Sequence, residues 1–392
     1  MAIDNSNSFK IEGINYGTGK PVSIEVVNGI ISQINEITTL SVDSREQFIS
    51  PGLIDNQING YAGVDFSSKS LTEDDVIKAA FAIWSGGVTT FFPTLITNSD
   101  ENLVRNFRVL RNAREHNKQL MESIPGFHLE GPYISPEEGY RGCHPLRHIR
   151  KPSWDEFLGY QTAAGGKIIE VTVAPEVEGS MDFISKCAGK GIIVALGHTD
   201  ASADQILEAI RNGARLSTHL GNGAANFIHR HKNPIWPQLA NRMLTPTIIA
   251  DGHHLLPEEI QVFYKVKGPG NIILTSDVMF LAGMEPGKYT FMENEVILRE
   301  DGLIFDPVLN CLAGASFPLK KGVENMMNFT CCSLTLAIDM ASGNIARIFA
   351  LRNRGVLVKG SRADMILFER DGNKILINRT WLSGKLVYSS DK

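Results

Sequence analysis

The sequence predicts an α/β protein of the (β/α)8 TIM-barrel class, with a small β-sandwich domain formed by the two ends of the chain. Eight short apolar runs flanked by Gly, Pro or Asn recur through the middle of the chain, with helix-like segments between most of them. At both ends of the chain, apolar and polar residues alternate instead, as in partly exposed strands. Right-handed crossovers close such a parallel series into a cylinder, although the same alternation also allows an open doubly wound sheet. The count of eight, and the polar residues at the C-terminal ends of the runs, favour the barrel.

Each predicted strand has an apolar body and ends in polar or turn-forming residues. In chain order the strands are predicted at residues 48–55, 88–94, 124–132, 168–176, 192–200, 215–222, 247–254 and 272–277. Helices are predicted at residues 71–85, 102–117, 202–211 and 257–267. The first helix has an acidic first turn and ends at two glycines, Ser202 is a candidate N-cap, and Pro257 suits a first turn.

The two ends of the chain contain short strands with turns. Asn28-Gly29 lies between two such strands and predicts a hairpin, and residues 355–390 show three more short apolar runs. Because the termini of a domain often lie close together, we expect the two ends to pair. The predicted division is therefore a composite β-sandwich domain of residues 1–50 and 350–392, and a barrel domain of residues 51–349.

Composition narrows the range of partners and compartments. The chain has 392 residues, with 38 basic and 43 acidic side chains, so neither nucleic acid nor an anionic membrane is an expected partner. No apolar stretch of about 18 residues and no signal-peptide pattern is present, which predicts no membrane span. Five cysteines without metal-binding spacing favour the reducing cytoplasm.

Three strand ends carry side chains that can bind a metal: Glu130, His198 and His219. Two histidines and one glutamate form an accepted set for a catalytic zinc, with a fourth position left for water. Strand ends that are distant in sequence converge at the top of a barrel. Each residue alone could simply be hydrogen-bonded to a loop, but the three together favour a metal site.

Other polar residues near strand ends could contribute to the chemistry. Asp277 ends the eighth strand and could take a proton from water at a metal site and return it to a leaving nitrogen; the alternative is a helix cap or salt bridge. His254 could polarise a carbonyl group. His128, which alternates with Glu130, could support the site or belong to the core. The basic run 229–232 suits either anion binding or a solvated patch, and spacing alone favours neither.

These motifs resemble the amidohydrolase superfamily and, within it, the N-acetylglucosamine-6-phosphate deacetylases, over nearly the whole chain. The motifs that carry the resemblance are His128-Leu129-Glu130-Gly131-Pro132, Gly197-His198-Thr199, Thr218-His219-Leu220, Ile249-Ala250-Asp251-Gly252-His253-His254, Thr275-Ser276-Asp277 and Leu312-Ala313-Gly314.

The resemblance implies a metal-dependent hydrolase that deacetylates N-acetylglucosamine 6-phosphate to glucosamine 6-phosphate and acetate in amino-sugar catabolism. Glu130, His198 and His219 match the metal ligands of the family, and Asp277 matches its acid/base. The residues implied to hold the amino sugar and its phosphate are His254, Cys143, His144, Asn222, Gly223, Arg230, Leu312, Ala313 and Gly314. In the family, the arginine matching Arg230 reaches into the neighbouring site of a homodimer.

Two departures from the family pattern bear on the metal count and on the substrate. Gln57 and Asn59 stand where two-metal members carry His-x-His, which implies one divalent ion and makes both possible pocket residues. Zn²⁺ suits the ligand set best, with Fe²⁺, Co²⁺ or Mn²⁺ as alternatives. The family's Asn-Ala-Met run is replaced here at residues 222–224, and residues 229–234 are also unusual.

Two alternative functions stay open at this point. One is a related amidohydrolase that acts on an unphosphorylated N-acyl sugar or an N-acyl amino acid. The other is a non-catalytic binding protein of the same fold, which is supported only by the amides at Gln57 and Asn59.

Overall fold

The computed structural model describes residues 8–41, 44, 46–292 and 294–391. The strands within these residues are β1 (Ser8–Asn15), β2 (Pro21–Val27), β3 (Ile30–Glu36), β4 (Phe48–Pro51), β5 (Leu53–Ile58), β6 (Gly60–Tyr61), β7 (Val64–Asp65), β8 (Val88–Ile96), β9 (Phe127–Glu130), β10 (Ile168–Val173), β11 (Ile193–Leu196), β12 (Leu216–Ser217), β13 (Thr245–Ile248), β14 (Ile273–Leu274), β15 (Gly287–Phe291), β16 (Asn294–Leu298), β17 (Ile304–Asp306), β18 (Cys311–Leu312), β19 (Met365–Asp371), β20 (Lys374–Leu382) and β21 (Lys385–Ser389).

The helices connect and cover these strands. They are α1 (Glu73–Ser85), α2 (Asp100–His116), α3 (Lys118–Ser123), α4 (Trp154–Ala163), α5 (Ser180–Gly189), α6 (Ala203–Arg211), α7 (Ile235–Ala240), α8 (Pro257–Lys267), α9 (Leu319–Thr330), α10 (Leu334–Met340) and α11 (Gly343–Ile348), with short 3₁₀ helices at Leu146–His148 and Pro269–Asn271. Across the residues that the structure describes, none of the helices has both the length and the apolar composition needed to cross a membrane.

The central sheet is a parallel barrel, as the sequence predicts. Its eight strands lie in chain order, β5-β8-β9-β10-β11-β12-β13-β14, and each of the eight predicted runs supplies one of them. The first and last strands meet just beyond β14, where the Asp277 amide donates to the Gln57 carbonyl (3.1 Å) and the Asn59 amide donates to the Val278 carbonyl (2.8 Å). These bonds close the cylinder, so the open-sheet alternative is wrong.

Local sequence explains where the barrel elements begin and end. The nine residues of β8 are all buried, as expected for a strand covered on both faces. Helix α6 begins with a capping box in which the Ser202 hydroxyl accepts from the Gln205 amide, which confirms the predicted N-cap. The predicted first strand divides at Gly52, where a Cβ atom would lie 2.2 Å from the Thr89 hydroxyl. Residues before Gly52 pair in a different sheet.

Both ends of the chain build one seven-stranded sheet in the order β21-β20-β19-β4-β1-β2-β3. The Phe9 and Trp381 rings stack with their centroids 6.0 Å apart, although their strands are three positions apart in this order. A flat sheet would separate them by about 14 Å. The sheet therefore folds over a core of its own, as in a sandwich. Its division from the barrel at residues 50 and 350 stays a prediction.

A second antiparallel sheet, β15-β16-β17-β18, follows the last barrel strand and has no counterpart in the sequence-based prediction. It encloses a small apolar cluster that includes Phe291, Val296 and Ile304, together with Ile96 and Met279. This sheet lies over the C-terminal ends of the barrel strands, so it forms one wall of the pocket described next.

Candidate active site

Four buried residues meet at the C-terminal ends of the barrel strands. Glu130 is the last residue of β9, His198 and His219 each follow the end of a strand by two positions, and Asp277 follows β14 by three. His198, His219 and Asp277 have left-handed backbone conformations, with φ values of 50°, 28° and 52°. Each such residue costs about 1–2 kcal/mol, and strain of this kind concentrates at functional sites because it fixes where a side chain points.

Glu130 is the centre of this group. Its Oε1 atom lies 3.0 Å from His219 Nε2, 3.3 Å from His198 Nε2 and 2.9 Å from Gln57 Nε2. Burial raises the pKa of Glu130, but the hydrogen bonds and charges of His198 and His219 outweigh it, so its pKa lies well below the ordinary range. The carboxylate is therefore ionised and available as a ligand.

The contact between Glu130 and His198 fits a site that holds a cation. His198 Nδ1 lies 2.9 Å from the Tyr140 carbonyl oxygen, which only accepts, so Nδ1 carries a proton. In the neutral ring, Nε2 then presents a lone pair to the Glu130 carboxylate at 3.3 Å. Two electron-rich atoms at this distance repel each other unless a positive charge lies between them, either a second proton on the ring or a metal ion. A divalent metal supplies that charge, and the donor set suits one.

His144 offers a further ligand atom at the same site. Its ring centroid lies 4.4 Å from that of His198, and ligand atoms of Glu130, His144 and His198 all lie within 4.8 Å of one another. Burial, reinforced by the charge of His198, lowers the pKa of His144 to about 3, which keeps this ring neutral as a metal ligand must be. His219 Nε2 lies 3.0 Å from Glu130 Oε1, so the structure brings together one carboxylate and three histidines.

Asp277 lies next to this group and is linked to Glu130 through the Gln57 side-chain amide. Its Oδ1 atom accepts hydrogen bonds from Gln57 Nε2 (2.9 Å) and Asn59 Nδ2 (2.7 Å). Burial, together with the negative charge of Glu130, raises the pKa of Asp277 to about 7. A carboxyl group with a pKa near neutrality can both take up and release a proton, as general acid–base catalysis requires.

His254 is oriented by a neighbouring carboxylate. Asp251 Oδ2 lies 2.8 Å from His254 Nδ1, while Asp251 Oδ1 accepts the backbone amides of His253 (2.8 Å) and His254 (3.0 Å). Because a carboxylate only accepts, Nδ1 carries a proton and Nε2 is the atom left for a ligand. His254 lines the pocket.

These residues surround a pocket of about 280 Å³ at the top of the barrel. The sequence-predicted site residues that line it are Asn59, Glu130, Cys143, His144, His198, His219, Asn222, Gly223, His254, Asp277, Leu312, Ala313 and Gly314. Gln57 is fully buried and reaches the site through its hydrogen bonds. The buried Asn222 Nδ2 atom has no hydrogen-bond partner among the described residues, so it can donate to a ligand.

Two residues whose roles the sequence left undecided, Arg230 and His128, do not line the pocket. Arg230 is exposed on the loop after β12 and does not line the pocket of its own chain. His128 is fully buried beneath the site, where Nε2 lies 2.8 Å from the Thr172 hydroxyl, and burial lowers the pKa of His128 to about 4. His128 is therefore part of the polar core of the barrel.

Sequence reasoning missed several residues that line the pocket, among them Asp65, Met279 and Phe291. Burial raises the pKa of Asp65 to about 6, while a hydrogen bond from the Ser67 amide lowers it. The glycines at positions 60 and 63, which turn the chain directly after the first strand, were the available signal for Asp65. Phe291 belongs to the unexpected sheet, and no motif marked it.

A family model for the amidohydrolase family matches residues 48–387 of the chain. The chain is 30% identical to N-acetylglucosamine-6-phosphate deacetylase of Lysinibacillus sphaericus, over 94% of each chain. It is 33% identical to the Bos taurus enzyme of that name, over 88% of this chain and 84% of the relative.

Solved structures of N-acetylglucosamine-6-phosphate deacetylases have the same fold. The enzyme from Thermotoga maritima superposes with a TM-score of 0.85 at 28% identity, covering 97% of this chain and 100% of the other. A mutant enzyme from Mycobacterium smegmatis, in complex with N-acetyl-D-glucosamine-6-phosphate, gives a TM-score of 0.87 at 24% identity, over 97% and 100% of the two chains.

Proposed function

The chain belongs to the amidohydrolase family, and from this premise we propose that it deacetylates N-acetylglucosamine 6-phosphate to glucosamine 6-phosphate and acetate in amino-sugar metabolism. The relatives of that name match it over most of their length. The observation that carries the proposal is the buried cluster of Glu130, His198 and His219 beside Asp277. This arrangement makes the chain a metal-dependent amide hydrolase, and it argues against a non-catalytic binding protein.

The chemistry follows from the placement of these side chains. A divalent metal, when bound, supplies a Lewis acid that polarises the amide carbonyl and acidifies water. Glu130, His198 and His219 would hold it, with His144 as the other candidate ligand. Asp277 accepts a proton from the attacking water and then delivers it to the sugar nitrogen, which leaves as an amine. His254, oriented by Asp251 through Nδ1, would stabilise the carbonyl oxygen on which negative charge develops when its Nε2 atom also carries a proton to donate.

We propose a single Zn²⁺ ion as the native metal, with Fe²⁺, Co²⁺ and Mn²⁺ as alternatives. Two imidazoles and one carboxylate suit zinc, and this ligand number leaves room for water. Gln57 and Asn59 direct amide N–H groups towards Glu130 and Asp277, where a second metal would need electron-pair donors. That direction supports one ion rather than two.

Recognition of the phosphate requires a cation from outside this pocket. Among the described residues that line it there is neither Lys nor Arg, whereas Glu130, Asp277 and Asp65 contribute carboxyl groups. We propose a homodimer in which Arg230 of one chain reaches the pocket of the other. The exposed position of Arg230 supports this arrangement. We also propose a cytoplasmic location, which agrees with five cysteines that form no disulfide.

Because the described lining residues include no Lys or Arg, a second candidate substrate is also favoured, an unphosphorylated N-acyl sugar. Acetate release from N-acetylglucosamine with and without the 6-phosphate distinguishes the two, with elemental analysis of the purified protein alongside. We expect turnover of the phosphorylated sugar and about one metal ion per chain. Preference for the unphosphorylated sugar would support the second candidate, and a metal-bearing protein that hydrolyses neither sugar would refute both.

A further inference from the structure

Gln57 and Asn59 extend from β5 towards the active site on the same face. Gln57 lies in β5 and Asn59 directly follows its end, and both side chains contact the same oxygen of Asp277. Their backbones are bonded to the segment that carries the acid/base: the Gln57 carbonyl accepts from the Asp277 amide (3.1 Å), and the Asn59 amide donates to the Val278 carbonyl (2.8 Å). The two amide side chains and Asp277 are therefore held in a fixed relation.

The side chains complete a hydrogen-bonded bridge between two carboxylates. Gln57 Nε2 lies 2.9 Å from Glu130 Oε1 and 2.9 Å from Asp277 Oδ1, so each of its two protons has an acceptor. Asn59 Nδ2 lies 2.7 Å from the same Asp277 oxygen. Turning either amide over would place its oxygen against a carboxylate oxygen, which is repulsive, and so the carboxylates fix both orientations.

The two oxygens of Asp277 are consequently not equivalent. Oδ1 accepts two amide N–H groups, whereas Oδ2 has no hydrogen bond within the part of the chain that the structure describes. Asp277 is buried at 8% exposure and lines the pocket. An oxygen whose lone pairs are already engaged by two donors is a poor acceptor for a further proton, so Oδ2 is left to receive it.

We propose that Asn59 is a positioning residue for Asp277. Together with Gln57, Asn59 engages Oδ1 of Asp277, and Oδ2 is left directed into the pocket as the atom that exchanges the proton. This inference rests on the proposed function only in taking Asp277 as the acid/base of amide hydrolysis. Asn59 is the cleaner residue to test, because Gln57 also contacts Glu130 and its replacement would disturb the metal site.

Two substitutions at Asn59 separate hydrogen-bond donation from packing. Asn59→Ala removes the donor and the side-chain volume, whereas Asn59→Asp keeps the shape and places a carboxylate against Asp277. We expect kcat to fall about 30-fold in Asn59→Ala and at least as far in Asn59→Asp, with KM within about threefold, since positioning contributes part of the 10²–10⁴-fold that a general base supplies. Metal content, measured by elemental analysis, should be unchanged in both.

Asn56→Ala is the matched control. Asn56 is buried on the same strand and donates to both carboxylate oxygens of Glu170, at 2.9 and 3.1 Å, without contacting Asp277. We expect this variant to have a lower Tm and a kcat within about threefold of the wild type, because only the polar core of the barrel is changed.

Crystal structures of the wild type and both Asn59 variants test the placement of Asp277 independently of turnover. We expect the Asp277 carboxylate to rotate away from its wild-type orientation in both variants. An Asp277 carboxylate that keeps its wild-type orientation in the variants would overturn the positioning role. So would an Asn59→Asp variant with wild-type kcat, because the loss would then be confined to Asn59→Ala. A wild type that hydrolyses no N-acetyl sugar would refute the proposed function instead, and the structures would still decide the role of Asn59.

Discussion

Asp277→Asn separates the chemical step from binding and folding. In the wild type, Asp277 Oδ1 accepts from Gln57 Nε2 (2.9 Å) and Asn59 Nδ2 (2.7 Å). An asparagine can keep its oxygen in that position, so both amides remain satisfied and its NH₂ group replaces Oδ2. The substitution also removes a buried carboxyl group from the neighbourhood of Glu130, so we expect little change in Tm and no loss of metal.

The kinetic cost follows from the two proton transfers assigned to this side chain. A general base or acid contributes about 10²–10⁴-fold, or about 3–5 kcal/mol of barrier at 1.36 kcal/mol for each tenfold step. Asparagine can neither accept the proton of water nor protonate the leaving nitrogen. We therefore expect kcat to fall by at least about 10³-fold, whereas KM changes by less than about threefold, because neither transfer occurs in the bound ground state.

Acetate release under saturating substrate measures kcat, with Tm and elemental analysis on the same samples. Asp364→Asn is the matched control, since Asp364 is also buried (2% exposed) but lies by the terminal sheet, where it pairs with Arg362. We expect that control to have a lower Tm and an unchanged kcat. Turnover of Asp277→Asn within tenfold of the wild type would refute the acid/base role, and loss of metal from it would make Asp277 a ligand instead.

Four further substitutions test the metal site, the buried core and the phosphate site. Elemental analysis should show that His219→Gln loses bound metal and that His144→Gln retains it. Loss of metal from His144→Gln with retention in His219→Gln would put His144 in the ligand set. Burial raises the pKa of Glu170 well above its ordinary value of 4.5, so the folded chain keeps a proton that the unfolded chain releases, and stability falls as the pH rises through this range. The Tm of Glu170→Gln relative to that of the wild type should therefore rise as the pH rises. A difference in Tm that stays constant with pH would contradict this. Arg230→Ala should lower kcat/KM about 10-fold or more for the phosphorylated sugar alone, because a hydrogen bond to a charged group is lost. An equal loss for both sugars would exclude a role of Arg230 in phosphate binding.

The barrel could be predicted because its strands are covered on both faces. A strand such as β8, buried along all nine residues, is built mainly from apolar and β-branched residues. The more polar residues that follow each such run mark the end of the barrel where catalysis takes place. The same logic found Glu130, His198 and His219, since each ends or directly follows such a run. It could not find the partners that support them, such as the Tyr140 carbonyl, because a backbone group in a loop has no sequence signature.

The residues that were missed lack a strand signal or belong to short exposed strands. Strand β15 alternates between exposed and partly covered residues, so Phe291 at its end could not be distinguished from a surface aromatic. His144 was placed in the sugar site by resemblance, but its 4.4 Å approach to the His198 ring depends on how the loop after β9 folds back over the barrel. Long-range loop geometry of this kind is set by tertiary packing rather than by local propensity.

The charges of the pocket link catalysis to assembly. Metal binding and proton transfer use the carboxyl groups of Glu130 and Asp277, and Asp65 adds a third, so the lining attracts cations and repels a phosphate dianion. A divalent ion held by Glu130 and the histidines would offset at most two of these charges. A phosphorylated sugar therefore needs a further positive charge at the other end of the pocket, where this chain presents Asn222 but no Lys or Arg among the described lining residues. If Arg230 of a second chain supplies it, a monomeric variant should lose discrimination in favour of the phosphorylated sugar but should still hydrolyse the amide.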